Sequence, residues 1–393
     1  MTDEWTPEGL AALTRFLRER GLCEGTGELD VRRIGDGHSN LTFLVSGDTD
    51  TDADTAGSDE SAGADEGGTG RVVVRRPPPP PTPPGAHDML REARLVDALR
   101  DTPVPVPAVL ATAQAGEVID VPFYVMSFAE GPVVTTSTPS PLAAPATRRQ
   151  IGEALVDVLA DLHAIDWQAA GLGDLGRPEG FNARHLRRMG RLVADADGAP
   201  PPHFAAIERW LGAHVPPESG ASIVHNDYRI GNVVLAPDAP GRIAAVLDWE
   251  LATIGDPLFD VGYFLASVPE ADSPRTPTED LGTALLEEGY PTREELAGRY
   301  ADRTGRDLSN LDWYTALAFW KLAVLYEYSR RRTVRGVGDP YYADQKLVQS
   351  FLAAAHRTAG LDEPPDAPAD VTEPAPSDVT KAAPEAVPDE ETR

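Results

Sequence analysis

The stretch His225-Asn-Asp227-Tyr-Arg-Ile-Gly-Asn232 constrains this chain most, because the residues just after it are patterned as tightly as the stretch itself. A β-prone run from Asn232 to Leu235 leads through the turn Pro237-Asp-Ala-Pro-Gly241 into a second run, Ile243 to Leu247, and then Asp248-Trp-Glu250. The pattern H-x-D-x-x-x-x-N, with an aspartate at the far end of the next hairpin, holds the residue types that phosphoryl transfer needs. One carboxylate orients and deprotonates a hydroxyl, while an amide and a second carboxylate hold a divalent cation on phosphates. Asp227, Asn232 and Asp248 stand in those three positions. Mg2+ takes hard oxygen ligands and keeps several waters, so two side chains are enough protein support. The competing reading is a hydrolase in which His225, Asp227 and Asp248 hold a metal that activates water. A zinc site takes three or four ligands, and no second histidine cluster accompanies His225.

The first third of the chain reads as a small sheet with a helix. Residues 7–20 form a helix capped by Thr6, with Pro7 at its first position and Leu10, Leu13 and Leu17 on one face. Val31 to Ile34 and Leu41 to Val45 read as two short strands around a loop from Gly35 to Asn40, and Arg71 to Arg75 as a third. Between them, 47–70 has eight Asp or Glu and no Val, Ile, Leu or aromatic residue. It cannot bury a core and is expected to be a disordered insertion. Helical spacing covers His87 to Arg100, and Val121 to Met126 is a buried strand candidate.

After residue 131 the pattern turns helical, around 151–164, 257–267, 277–303, 309–334 and 341–357. Residues 361–393 carry ten acids and seven prolines against Lys381 and Arg393, a second disordered segment. The expected organisation is an N-terminal helix over 1–27, a β-rich lobe over 28–131, a helical lobe over 132–360 and the acidic tail.

The formal charge of −28 remains clearly negative when both acidic segments are set aside. Only Lys321, Lys346 and Lys381 among the 35 basic residues are lysines, a composition suited to a high-salt cytoplasm. An anionic surface repels phosphate backbones, so nucleic acid is not an expected partner. A single cysteine, Cys23, excludes an internal disulfide, and no apolar run is long enough to span a membrane. The acidic start Met-Thr-Asp-Glu-Trp lacks the features of a signal peptide, so a cytoplasmic protein is expected.

Taken together, HNDYRIGNVVL, AAVLDWELATIGDPLFDVGYFL, IGDGHSNLTFLV, VVVRRPPP, REARLV and FYVMSFAEGP resemble the aminoglycoside phosphotransferase and choline kinase superfamily. The similarity is greatest to the branch whose kinase domain lies beside acyl-CoA dehydrogenases. It runs from about residue 28 to 357. The resemblance implies an α+β, bilobal, protein-kinase-like fold and transfer of phosphate from ATP, with Mg2+, to the hydroxyl of a small molecule, together with a functional association with acyl-CoA metabolism. It makes Asp227 the catalytic base, Asn232 and Asp248 the metal ligands, and His225 and Asp260 the braces of the catalytic loop. Gly35, Gly37, Ser39 and Asn40 would cover the phosphates. The chain departs from the kinase pattern in having no lysine before 321. Strand alternation puts Val73 and Arg75 on one face, so Arg75 would replace the phosphate-binding lysine and pair with Glu92. That departure also leaves room for a nucleotide-binding pseudokinase with a regulatory role.

Overall fold

The computed structural model describes residues 5–25, 27–35, 40–47, 70–78 and 87–365. The acidic insertion and tail fall almost wholly outside the described residues, as do Gly37 and Ser39. The described residues divide into two compact units, the first built from residues up to Arg100 with Val106–Ala129, the second from Asp101–Pro105 and the described residues from Glu130 onward.

The first unit is an antiparallel sheet between two helices. Strands β1 (Asp30–Arg33), β2 (Leu41–Ser46), β3 (Arg71–Arg76), β4 (Val109–Ala113) and β5 (Phe123–Ser127) lie in the order β1-β2-β3-β5-β4. Side chains alternate across the pleat, so each strand feeds two cores. Val45, Val72, Val74, Phe123 and Val125 pack with Leu13, Phe16 and Leu17 of helix α1 (Pro7–Glu19). Leu44, Val73, Tyr124 and Met126 face Met89 and Ala93 of helix α2 (Met89–Ala98). Thr6 caps α1 by accepting from the Gly9 amide, as its sequence position implies. Helix α2 begins after Asp88 rather than at His87, since Asp88 accepts from the Arg91 amide and so closes the N-terminus.

The second unit is mainly helical. Helices α3 (Pro145–Ala164), α4 (Phe181–Gly190) and α5 (Pro202–Ala213) precede two small hairpin-like sheets. One pairs β6 (Ser222–Val224) with β9 (Thr253–Gly255); the other pairs β7 (Val233–Leu235) with β8 (Ile243–Val246). Then come α6 (Pro257–Ala266), α7 (Pro277–Asp280), α8 (Arg293–Thr304), α9 (Leu311–Val334) and α10 (Gln345–Thr358). The helical pattern expected over 277–303 is broken in two by a tight turn at Thr283–Leu286 and by Gly289 at φ +110° ahead of Pro291. Every residue of α6 is buried. Gly262 lets α6 and α9 meet backbone to backbone, because a Cβ there would lie 2.6 Å from the Tyr314 carbonyl carbon. Trp313, Tyr314 and Trp320 are core residues of α9.

Candidate active site

In the first unit, strand register assembles the cluster. Thr42 of β2 and Tyr124 of β5 both lie directly opposite Arg75 of β3. Directly opposed residues share a face, so all three point toward α2. Arg75 Nε lies 3.0 Å from Glu92 Oε1, its Nη1 donates to Thr42 Oγ1 at 3.3 Å, and the Tyr124 hydroxyl donates to Glu92 Oε1 at 3.2 Å. The carboxylate is 2% exposed and the guanidinium side chain 11%. The Arg75–Glu92 pair expected from alternation is therefore formed. Arg76, one residue on, points to the other face and stacks over Trp5 at 4.7 Å. Gly35 sits at φ +77°, a conformation that suits glycine. Asn40 is held by His87, whose Nδ1 lies 2.8 Å from the amide oxygen. Burial first, and then the Arg75 charge, lower the His87 pKa. Nothing in the sequence singles out His87, since its link to Asn40 spans the insertion.

In the second unit, β6 runs into the catalytic segment, whose shape is set by Asp260 from the first turn of α6. This buried carboxylate accepts from the His225 amide at 2.5 Å and the Asn226 amide at 2.7 Å. His163 Nε2 approaches the same carboxylate at 3.4 Å, while the Tyr300 hydroxyl lies 2.7 Å from His163 Nδ1. Burial lowers the His163 pKa, so the ring is neutral and its Nε2–H donates. Burial alone would raise Asp260, but the hydrogen bond from His163 and the contacts of His225 override it and hold the carboxyl below its ordinary value. The two amides fix the turn at Asn226, a non-glycine residue at φ +68°.

His225 then locks the loop to the neighbouring hairpin. Its Nε2 donates to the Leu247 carbonyl at 2.9 Å, which leaves Nδ1 to accept from the Asp227 amide at 3.3 Å. Asp227 is oriented at both oxygens: the Tyr263 hydroxyl donates to Oδ1 at 2.5 Å, and Asn232 Nδ2 donates to Oδ2 at 2.9 Å. Its side chain remains 21% exposed, accessible to a small molecule. The Arg229 guanidinium lies 3.7 Å from Asp227 Oδ1. It folds across Gly231, where a Cβ would meet Nη1 at 2.2 Å.

The hairpin brings the remaining two residues together. The Leu247 amide donates to the Asn232 carbonyl at 2.8 Å, one step beyond the Val233–Val246 pair, and Asp248 comes next in a left-handed conformation, φ +68°. With its Nδ2 turned to Asp227, Asn232 has its amide oxygen available. An amide oxygen and a carboxylate at the mouth of one hairpin are hard donors that suit Mg2+. Among the described residues no group of three or more His, Cys, Asp or Glu is gathered for a metal. A cation held mainly by phosphates and water needs none.

Several residues lie here that sequence reasoning did not assign. Tyr263 and Lys321 escape it because, in apolar helical stretches, a tyrosine looks like a core residue and a lysine like a solvent one. His163 is both packed in the core and hydrogen-bonded at each ring nitrogen. Asp256 caps α6 through the Leu258 amide and also accepts from the Tyr314 hydroxyl at 2.6 Å. Arg330 and Arg331 both pair with Glu327 at 2.8 Å.

A β-sheet unit with a buried arginine–glutamate pair, and a helical unit with an aspartate loop and a hairpin carrying Asn232 and Asp248, define a kinase-like phosphotransferase fold. The model of the phosphotransferase enzyme family (APH) matches residues 30–314, and the chain belongs to that family. Among curated proteins it is 31% identical over 357 residues to acyl-CoA dehydrogenase family member 11 of Rattus norvegicus, covering 87% of this chain and 42% of that protein. It is 28% identical over 349 residues to family member 10 of Mus musculus, covering 88% and 30%. The chain thus spans less than half the length of these relatives. Among solved structures, a Ralstonia eutropha protein provisionally named an aminoglycoside phosphotransferase superposes with TM-score 0.69 at 29% identity, over 89% of this chain and 98% of that one. A thermostable mutant of aminoglycoside phosphotransferase APH(4)-Ia, in complex with ADP and hygromycin B, matches at TM-score 0.53 and 16% identity over 88% and 97%, a likeness of fold. Among the described residues no helix is long and apolar enough to cross a membrane.

Proposed function

We propose that this protein is an ATP- and Mg2+-dependent kinase that phosphorylates a hydroxyl group of a small anionic molecule, a hydroxy acid or hydroxyacyl thioester. The observation that carries the reading is Asp227, a partly open carboxylate oriented at both oxygens and joined through Asn232 to the hairpin that ends in Asp248. Asp227 accepts a hydrogen bond from the acceptor hydroxyl. The acceptor oxygen forms its bond to the γ-phosphorus, the bond to the bridging oxygen breaks, ADP leaves, and the hydroxyl proton passes to Asp227. Asn232 and Asp248 would hold Mg2+, which when bound would supply positive charge to the phosphates. Arg75, braced by Glu92, serves the phosphates as the missing lysine would, with Gly35 and Asn40 flanking the phosphate loop. Catalysis then rests on position and electrostatics.

Two observations support the acceptor class. Arg229 places a cation beside the base, where an acceptor carboxylate or thioester-linked anion would meet it. The relatives are named for acyl-CoA dehydrogenases, which points to an acyl acceptor. Cytoplasmic location and the absence of nucleic-acid or membrane partners belong to the same reading.

The test is phosphate transfer from γ-labelled ATP to a panel of hydroxy acids, hydroxyacyl thioesters, aminoglycosides, choline and sugars at high salt. Wild type is expected to label an acyl acceptor, and Asp227→Asn to turn over at least ~10²-fold more slowly. Full activity in Asp227→Asn removes the base from its role. Saturable stabilisation by Mg-ATP without transfer to any acceptor makes the chain a nucleotide-binding pseudokinase.

A further inference from the structure

Lys321 is the only buried lysine among the described residues, in a chain whose cations are otherwise almost all arginine. It lies on α9, seven residues after Tyr314, where Gly262 brings α6 and α9 into backbone contact. Two helical turns on the same face carry the ammonium under the rings of α6, 5.1 Å from the Phe259 centroid and 4.9 Å from the Tyr263 centroid. There it donates to the Asn226 carbonyl at 2.8 Å.

That carbonyl belongs to the residue at φ +68° immediately before Asp227. Asp260 secures the amide side of this strained turn and Lys321 its carbonyl side. An ammonium withdrawn from water is costlier to bury than an apolar chain of equal length. A carbonyl alone compensates it poorly, so the site stabilises the charge mainly through its neighbours. The Asp227 and Asp260 carboxylates favour the charged form, Arg188 of α4 opposes it, and His185 of α4 is kept neutral by burial and by Lys321 itself. A compact ammonium with rotatable donors suits one carbonyl between two rings; a planar guanidinium does not.

We propose that Lys321 is the positioning residue of the catalytic loop, clamping the left-handed turn at Asn226 that delivers Asp227, and that the loop turns over at full rate only while this ammonium is charged. The proposal rests on the kinase reading above. Burial, partly offset by Asp227 and Asp260, brings the Lys321 pKa down from 10.5 to about 8. Turnover should therefore decline as pH rises through about 8. The unfolded chain keeps the proton up to its higher value, so folding stability should rise over the same window. Opposite slopes of activity and stability are what a merely structural lysine would not produce.

The experiment measures kcat, KM and urea stability of wild type, Lys321→Met and Lys321→Arg between pH 6.5 and 10. Wild type should show an alkaline limb in kcat near pH 8. Lys321→Met should turn over at least ~10-fold more slowly with little change in KM for Mg-ATP, and should lose both the limb and the stability gain. Lys321→Arg keeps its charge, so its limb should vanish while part of the turnover survives; it carries the test should Lys321→Met not fold. A wild-type kcat flat to pH 9.5, or a variant with the limb unmoved, overturns the proposal. If wild type phosphorylates nothing, the kinase reading fails, and the clamp is then judged by hydrogen exchange at the Asp227 amide. That exchange should quicken at least ~10-fold in Lys321→Met; unchanged exchange overturns the clamp.

Discussion

Two buried carboxylates, Glu92 in the sheet unit and Asp260 in the helical unit, are satisfied by different means. Glu92 is answered by a cation, Arg75, and by the Tyr124 hydroxyl, both from adjacent strands at one level of the sheet. The groups that contact Asp260 are two consecutive loop amides and a neutral histidine. The first arrangement neutralises a charge on an already rigid scaffold. The second uses a charge to impose a backbone shape, so losing it should damage the loop as well as the pair.

The two carboxylates should differ most in what their loss costs, and Asp260 should cost more. Asp260→Ala leaves the His225 and Asn226 amides and the His163 ring buried without their acceptor, and should cost roughly 3–5 kcal/mol of unfolding free energy. Urea denaturation followed by tryptophan fluorescence measures this. A loss below ~1 kcal/mol would mean that the turn at Asn226 holds its shape without the carboxylate.

A smaller effect is expected in the sheet unit. Arg75→Met strands Glu92 and should destabilise by about 3 kcal/mol, whereas adding Glu92→Leu should recover at least ~1 kcal/mol of it, because replacing both members of a buried pair removes the uncompensated charge. The ATP response separates role from stability. Both variants should lose Mg-ATP affinity, and unchanged affinity in Arg75→Met would remove Arg75 from the phosphate site. No such double replacement can repair Asp260→Ala, since its amide partners belong to the backbone.

pH sharpens the contrast. His163 is held below its ordinary 6.5 by burial, so the unfolded chain takes up the proton first and stability falls as pH drops below about 6.5. The lowered Asp260 contributes stability above its ordinary 3.8 that is lost as pH falls through its folded value. His163→Gln should flatten the upper part of this acid slope and leave the lower part. An unaltered slope between pH 6.5 and 5 would show that other groups set it.

The same difference decides how much of the molecule is legible in the sequence. The face that Arg75 takes was readable because strand period places it with Val73, and Glu92 of α2 was matched to it through the kinase pattern. The hairpin from Asn232 to Asp248 was readable because its turn residues and spacing are local. Asp260 was named through the family resemblance. Tyr263 and Lys321 were not found, since a tyrosine and a lysine in apolar helices look like core and solvent residues until the contact at Gly262 places them under the loop. Helices α4 and α5, the strand β4 and the pairing of β6 with β9 were also missed. Their segments are short, and their order comes from tertiary partners rather than from period.

The smallest expected effect isolates one atom. In Tyr263→Phe the ring that faces Lys321 remains, and only the hydroxyl that donates to Asp227 Oδ1 is lost. A single hydrogen bond of this kind contributes about 1 kcal/mol to stability, so unfolding should change little. Asn232 still holds Oδ2, which fixes one oxygen but allows the carboxylate to swing about it. A swinging base misaligns the acceptor hydroxyl without touching the nucleotide, so kcat should fall roughly 3- to 10-fold while KM for Mg-ATP stays put. A fall in nucleotide affinity instead would place Tyr263 with the hairpin rather than with the base. An unchanged kcat would leave Asn232 as the residue that alone sets the orientation of Asp227.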